Sequence, residues 1–123
     1  MKNKNAWASF AAAISGIRQV AQRERNFKFQ IFCALAAITV CGFFHAYLSS
    51  LQIVAVGLSI FFVLTMELFN TAVEAVTDLC CGTTTHSLAK LAKDAAAGAV
   101  FLAAIQAAVV AVWVAITIIG QLL

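Results

Sequence analysis

Charged residues are scarce in this sequence of 123 residues. Asp, Glu, Lys and Arg make up 11% of it, whereas a soluble domain carries about 25%. So few charges could not cover the surface of a soluble globular enzyme. The hydrophobic fraction of 63% also excludes a disordered chain, which needs low hydrophobicity and high charge. The composition therefore predicts a small integral membrane protein with a single domain, 1–123.

Motifs that typically hold a nucleotide or a zinc ion are also missing. There is no G-x-x-x-x-G-K-[ST] and no G-x-G-x-x-G, which excludes a P-loop and a dinucleotide-binding fold. A serine-nucleophile elbow and a zinc-ligand pattern are absent as well. If the protein handles ATP, a metal ion and lysines must position the phosphates instead of a glycine-rich loop. No nucleic-acid partner is expected.

Two long segments, 29–66 and 95–123, contain no charged residue. The polar stretch 45–52 interrupts the first of them. An 18-residue helix at 31–48 would be about 27 Å long, close to the hydrocarbon core of about 30 Å. Since helices satisfy every backbone polar group in lipid, the sequence predicts an all-α fold with three transmembrane helices. We place them at about 31–48, 51–78 (including a cytoplasmic extension) and 87–119.

The first 28 residues are too polar to cross a membrane. Their apolar side chains recur at spacings of three and four, which indicates one face of a helix: Trp7, Phe10, Ile14, Ile17 and Ala21. We predict an amphipathic helix at about 6–28 that lies along the membrane surface. The alternative is a cleaved signal peptide, but the interleaved Arg18, Arg23 and Glu24 argue against it.

The basic residues predict the orientation in the membrane. Six of the eight lie in the first 28 residues, and the other two, Lys90 and Lys93, lie at the start of the third helix, before its uncharged part at 95–123. The turn 45–52 has neither Lys nor Arg. Because basic loops stay in the cytoplasm, we expect the N-terminus and the connection 78–94 inside, and the turn and the C-terminus outside.

The most informative polar residues lie on the predicted second span. Glu67, Asn70, Glu74 and Asp78, here called the polar stripe, are spaced i, i+3, i+7 and i+11. At about 100° per residue they share a sector of about 80°. A carboxylate at membrane depth costs a few kcal/mol or more, so it faces the bundle interior and marks a functional candidate.

A second polar cluster begins the third span, after the loop 82–85. It consists of His86, Lys90, Lys93 and Asp94. Lys90 and Asp94 can pair at i, i+4, and Glu24 lies near the end of the surface helix, at the same side of the membrane in the predicted topology. Three helix ends at the cytoplasmic side could therefore bring several carboxylates and cations together.

Converging carboxylates beside a lysine suit Mg²⁺ bound to a phosphate. This ion takes one or two protein carboxylates and completes its shell with water and phosphate oxygens. The same residues could instead join the transmembrane helices through hydrogen bonds, and the two lysines could be ordinary membrane-surface anchors. Four polar residues on one face, with a second cluster at the same depth, favour a functional site.

Two segments resemble the prokaryotic diacylglycerol kinases and the related undecaprenol kinases. The first is E-x-x-N-T-A-x-E-A-x-x-D, at 67–78, and the second is A-K-x-A-K-D-x-A-A-G-A-V, at 89–100. With the three spans and the surface helix, the resemblance covers nearly the whole chain. It implies an ATP-dependent lipid kinase in the bacterial cytoplasmic membrane. It also implies a homotrimer whose active sites form between protomers near the cytoplasmic surface.

The resemblance also implies roles for individual residues. Glu67 would be the catalytic base, and it would contact the lipid substrate together with Ala97. Glu24 and Glu74 would hold Mg²⁺ on the ATP phosphates. The expected nucleotide site consists of Asn70, Thr84, Thr85, His86, Lys93 and Asp94. Asp78, Lys90 and Gly98 are expected to support the site.

The lipid substrate is less clearly indicated. The stretch 24–27 (ERNF) resembles the undecaprenol-kinase branch, although Gln30 stands where that branch often has histidine. We therefore favour undecaprenol over diacylglycerol. The competing class is a non-catalytic membrane scaffold or ion-pathway subunit, which would use the polar stripe for helix association or cation passage.

Overall fold

Four α-helices form the described part of the chain. A computed structural model describes residues 5–123, so Lys2 and Lys4 of the basic N-terminal segment lie outside the described residues. The helices are α1 (Ala6–Arg23), α2 (Arg25–Phe43), α3 (Ser50–Cys81) and α4 (Ser87–Leu122), with a short 3₁₀ turn at His45–Tyr47. No strand occurs within 5–123. Helices α2, α3 and α4 are long and apolar enough to cross a membrane, which confirms the predicted fold class.

The helix bounds differ from the predicted ones around Glu24. This residue is extended, with φ −92° and ψ 116°, so α1 ends at Arg23 and α2 starts immediately afterwards at Arg25. The surface helix is predicted to reach residue 28, but α1 ends at Arg23. The first span is predicted at 31–48, but the helix found there, α2, covers Arg25–Phe43. Phe27 is 2% exposed, and its burial brings the polar first turn of α2 against the bundle.

Helix α1 has the predicted apolar face. Asn5 caps it by accepting a hydrogen bond from the Ala8 amide at 2.8 Å. Trp7, Phe10 and Ile14 are all exposed in the single chain. An exposed apolar face on a helix with a basic last turn is typical of a helix that lies in the membrane interface.

Polar side chains join α3 to α4 at three levels. Gln52 donates to Thr117 at 2.7 Å, and Gln106 donates to Ser59 at 2.8 Å. At the other end, Lys93 pairs with Asp78. Because these pairs run in opposite sequence order along the two helices, α3 and α4 are antiparallel neighbours. The ends of α1 and α3 and the starts of α2 and α4 therefore lie at one end of the bundle.

The opposite end contains the small apolar core. Leu48, Val114 and Ile118 form a buried cluster next to the turn that joins α2 to α3. Ser49 caps α3 in a reciprocal capping box with Gln52, whose side chain is 4% exposed. Gln52 thus helps to cap the start of α3 and also joins α3 to α4 through its hydrogen bond to Thr117.

Replacing Gln52 with methionine is expected to destabilise the bundle. Interhelical hydrogen bonds in membrane proteins contribute about 0.6 kcal/mol on average, with a maximum of about 1.7 kcal/mol, and Q52M also removes the capping-box partner. Denaturant titration in detergent micelles measures the loss. Gln121→Met, at an exposed residue near the end of α4, is the matched control and should leave the transition unchanged. Equal transitions for Q52M and Q121M would contradict the prediction.

Candidate active site

The polar stripe passes from a buried to an exposed environment along α3. Glu67 is 3% exposed and Asn70 is half-buried, whereas Glu74 and Asp78 are exposed. About three turns separate the first residue from the last. The stripe therefore places one carboxylate inside the bundle and two near the polar end, all on one helix.

Glu67 is held by a residue of α2. Gln30 Nε2 donates a hydrogen bond to Glu67 Oε2 at 3.0 Å. The other side of the same amide, Gln30 Oε1, is buried and has no hydrogen-bond partner within the described part of the chain. A buried carboxylate and a buried free acceptor thus lie side by side.

Gln30 is the site residue that sequence reasoning missed. The family resemblance marks it only as a departure from the undecaprenol-kinase pattern and implies no role for it. The available signal was its polarity in a segment, 29–66, that contains no charge. A polar side chain in such a segment needs a partner, and the structure shows that this partner is Glu67.

An apolar groove of about 550 Å³ opens between α2, α3 and α4. Small and aliphatic side chains line most of it, including several alanines of α2 and α4. Gln30 is among its lining residues. The groove therefore extends to the residue that binds Glu67.

Asn70 and Glu74 form the middle of the stripe. Asn70 Nδ2 donates to Glu74 Oε1 at 3.3 Å, while the buried Asn70 Oδ1 has no hydrogen-bond partner among residues 5–123. The Glu24 side chain lies at the junction of α1 and α2, half-buried, and makes no hydrogen bond within this range. The predicted pair Glu24 and Glu74 is thus not joined by a recorded contact.

The carboxylates fit a magnesium ion that is shared with a substrate. Within 5–123 no three His, Cys, Asp or Glu side chains converge to hold a metal by themselves. Mg²⁺ needs only one or two carboxylates when phosphate and water oxygens complete its shell. The exposed Glu74 carboxylate and the free amide oxygen of Asn70 beside it are hard oxygen donors of the required kind.

A polar cavity of about 260 Å³ lies where α3 ends and α4 begins. Gly82, at φ 58°, turns the chain out of α3, and His86 caps α4 by accepting from the Leu88 amide at 3.1 Å. The structure brings five of the six predicted nucleotide residues together around this cavity: Thr84, Thr85, His86, Lys93 and Asp94. Asn70, the sixth, lies outside it on the stripe.

Two ion pairs flank this cavity. Lys93 Nζ donates to Asp78 Oδ1 at 2.5 Å, which joins the start of α4 to the end of α3. Lys90 pairs with Asp94 one turn apart on α4. Both pairs are exposed, so they contribute little to stability, and their ammonium groups are free to exchange partners.

The structure does not bring Ala97 or Gly98 to either cavity. Ala97 is exposed. A methyl group built at Gly98 would meet no neighbouring atom within 4 Å. Within one chain, this smooth part of α4 therefore faces open space instead of another helix.

Comparison with known proteins gives consistent matches. Residues 11–115 match the family model for prokaryotic diacylglycerol kinase. A diacylglycerol kinase of Synechocystis is 41% identical over 114 residues, which covers 87% of this chain and 64% of the relative. The chain thus spans less than two thirds of that relative. An undecaprenol kinase of Bacillus subtilis is 41% identical over 102 residues, 83% of this chain and 80% of the relative. A diacylglycerol kinase of Haemophilus influenzae is 31% identical over 91 residues, 74% of this chain and 75% of the relative.

Proposed function

The chain belongs to the prokaryotic diacylglycerol kinase family, and from this premise we propose that it is a lipid kinase that transfers the γ-phosphate of ATP to the hydroxyl of a membrane lipid. The observation that carries the proposal is the position of Glu67. It is a buried carboxylate, held by Gln30, a residue that lines an apolar groove. A lipid chain in such a groove would bring its hydroxyl to the carboxylate, as the reaction requires.

Glu67 acts as the general base. The lipid hydroxyl oxygen attacks the γ-phosphorus, the bond from that phosphorus to the bridging oxygen of ADP breaks, and the hydroxyl proton passes to Glu67. A positioned base of this kind contributes about 10²–10⁴-fold to a rate. Burial keeps water away from Glu67, so the lipid hydroxyl meets the base without competition.

Glu74 and Glu24 would hold Mg²⁺, with the Asn70 amide beside Glu74. The ion would neutralise charge on the phosphate oxygens, which supplies much of the catalysis because the phosphoryl transition state is loose. Glu74 lies about two turns from Glu67 along α3, on the side that leads to the polar cavity. The lipid, the base, the metal ion and the nucleotide would thus follow one another along α3, from the buried Glu67 toward the polar end of the bundle.

The polar cavity would bind the nucleotide. Lys93 would leave Asp78 for a phosphate oxygen, while Asp94 would contact the nucleoside with Thr84, Thr85 and His86 at the border. Asp78 and Lys90 would support this arrangement as the partners of Lys93 and Asp94 in the free protein. A compact ammonium that exchanges between carboxylate and phosphate is a typical phosphate ligand.

A shared site between three copies would complete this arrangement. The Glu24 side chain makes no hydrogen bond within 5–123, and Gly98 faces open space. Small residues allow close approach of a helix from another chain, so Ala97 and Gly98 suit an interface that also borders the lipid. The enzyme would lie in the bacterial cytoplasmic membrane, with the N-terminus and the site on the cytoplasmic side, as the basic residues predict.

Phosphate transfer from labelled ATP tests the proposed function. The purified protein in lipid micelles receives Mg²⁺, γ-labelled ATP and either undecaprenol or diacylglycerol. We expect label in at least one lipid, with undecaprenol favoured over diacylglycerol, and none after chelation of the metal. Two named relatives, one of each kind, are equally identical to this chain at 41%, so both lipids are needed. No labelled lipid, together with cation flux through vesicles, would instead support the ion-pathway alternative.

A further inference from the structure

The charged side chains that line the polar cavity are balanced in sign. They are Asp78, Lys90, Lys93 and Asp94. One ion pair joins α3 to α4, and the other lies within α4. His86 adds no charge in this arrangement, because its Nδ1 accepts a hydrogen bond from the Leu88 amide and a charged histidine has no acceptor nitrogen. Among the described residues that line the cavity no cation is unpaired, so a phosphate that binds there takes its ammonium partner from a carboxylate.

Lys90 can exchange its carboxylate partner easily. Its side chain is 71% exposed, and that of Asp94 is 62% exposed. An exposed i, i+4 pair changes an equilibrium by only about twofold, whereas a hydrogen bond from a charged group typically changes one by about 10- to 100-fold. A phosphate oxygen therefore competes well with Asp94 for this ammonium group.

Helix stability does not explain Lys90. It is the fourth residue of α4, where a positive charge is unfavourable because the N-terminus of a helix carries a partial positive charge. Within the pair the lysine also precedes the acidic residue, which is the weaker order at i, i+4. The same partial charge of the helix attracts anions. The start of α4 therefore favours a phosphate beside Lys90 more than it favours Lys90 itself.

Lys90 and Lys93 are placed to contact one extended anion. They lie three residues apart on α4, which separates them by about 4.5 Å along the axis and puts them on neighbouring parts of one face. Lys93 is the deeper of the two, and it contacts Asp78, which lies one turn beyond Glu74 on α3. Lys90 lies nearer the loop 82–85, which borders the cavity. The phosphate chain of a nucleotide can therefore meet Lys93 close to the metal residues and Lys90 on the side of the nucleoside.

We propose that Lys90 is a second phosphate-binding residue of the nucleotide site, and that Asp94 holds it until a nucleotide binds. In the free protein Lys90 pairs with Asp94. On binding, Asp94 accepts a hydrogen bond from a hydroxyl group of the nucleoside, and Lys90 donates to an oxygen of a phosphate that is not transferred. No covalent bond changes at Lys90, and no proton moves. This inference rests on the proposed function, and it gives a ligand to a lysine that otherwise has only Asp94 as its partner.

Kinetics of the variant Lys90→Met test the proposal. We expect KM for ATP to rise by about 10-fold, the lower end for a charged hydrogen bond, because the gain from the phosphate is partly offset by the loss of the pair with Asp94. The values of kcat and of KM for the lipid should stay unchanged, since Lys90 lies on the side away from the transferred phosphate. Lys90→Arg keeps a charged donor and should restore most of the affinity.

Lys28→Met is the matched control, at an exposed lysine of α2 outside the cavity, and it should leave every kinetic constant unchanged. Because Lys90 is exposed, K90M should also unfold at the same denaturant concentration as the wild type. If K90M does not fold, Lys90→Gln carries the same tests, since it removes the charge and keeps a polar side chain.

Two further measurements separate a phosphate contact from an effect that acts through Asp94. In the background Asp94→Asn the ion pair is absent, so a lysine that acted only through Asp94 would no longer matter. We expect K90M to raise KM for ATP in this background at least as much as in the wild type, because no pair has to be broken first. The second measurement is competitive inhibition. K90M should raise the inhibition constant of ADP by about 10-fold and leave that of adenosine, which has no phosphate, unchanged.

The outcomes distinguish this inference from the proposed function. If the wild type labels no lipid, the proposed function fails, and binding of labelled ATP with Mg²⁺ to the wild type and K90M then tests Lys90 by itself. If K90M matches the wild type in its affinity for ATP and ADP, Lys90 is an ordinary membrane-surface lysine and the inference is wrong. It is also wrong if K90M has no effect in the D94N background, or if adenosine binding weakens as much as ADP binding.

Discussion

Replacing Glu67 with glutamine is expected to lower kcat for phosphate transfer by about 10²–10⁴-fold, the usual contribution of a general base. The glutamine side chain has the same size, and its amide oxygen can still accept the hydrogen bond from Gln30. The fold should therefore be preserved, while the proton acceptor is lost. Labelled phosphate transfer, measured at saturating ATP and lipid, gives kcat directly.

Nucleotide binding is the control for E67Q. Glu67 lies outside the polar cavity, so the affinity for Mg²⁺ and ATP should match the wild type. Glu67→Asp keeps the charge but withdraws it by one methylene, and it should retain more activity than E67Q. Near-normal turnover of E67Q at unchanged folding would show that another group accepts the proton.

Replacing Lys93 with methionine is expected to raise KM for ATP by about 10- to 100-fold, because one charged hydrogen bond to phosphate is lost. Stability should hardly change, since the Asp78–Lys93 pair is exposed. Steady-state kinetics over a range of ATP concentrations, with lipid held constant, separates the two effects. KM for the lipid should stay the same.

Lys28→Met is the matched control for K93M. Lys28 is an exposed lysine on the first turn of α2 and does not line the polar cavity. It should leave KM for ATP unchanged, although both variants lose one positive charge near the same end of the bundle. Equal KM values for K93M and K28M would place the phosphate contact elsewhere.

Much of the site was predictable because it is local in the chain. The spacing of Glu67, Asn70, Glu74 and Asp78 follows from helix geometry alone, and α3 contains all four. Thr84 to Asp94 are also close in sequence, so a short loop suffices to place them around one cavity. The three apolar helices follow from the absence of charge, since lipid excludes it.

Other features depend on how the helices pack. The break at Glu24 is a change in backbone conformation within a polar stretch that has no proline or glycine to mark it. The contact between Gln30 and Glu67 joins residues 37 apart in sequence, and no periodic pattern within one helix indicates such a pair. The groove is likewise lined by residues of three different helices, α2, α3 and α4, so it exists only once these helices have packed together.

A helical membrane protein of the diacylglycerol kinase family, with its charges gathered at one end, can thus be inferred from the residues alone. Hydrophobicity and helix periodicity are properties of each segment, so they can be inferred without knowing the neighbours. The packing of the helices was needed to show that Glu67 is buried against α2 and that a neutral amide, not a cation, holds it. It was also needed to show that Gln30, which carries this amide, lines an apolar groove. These facts depend on the depth and rotation of one helix against another, which the apolar pattern of α2 leaves open because nearly every face of it is hydrophobic.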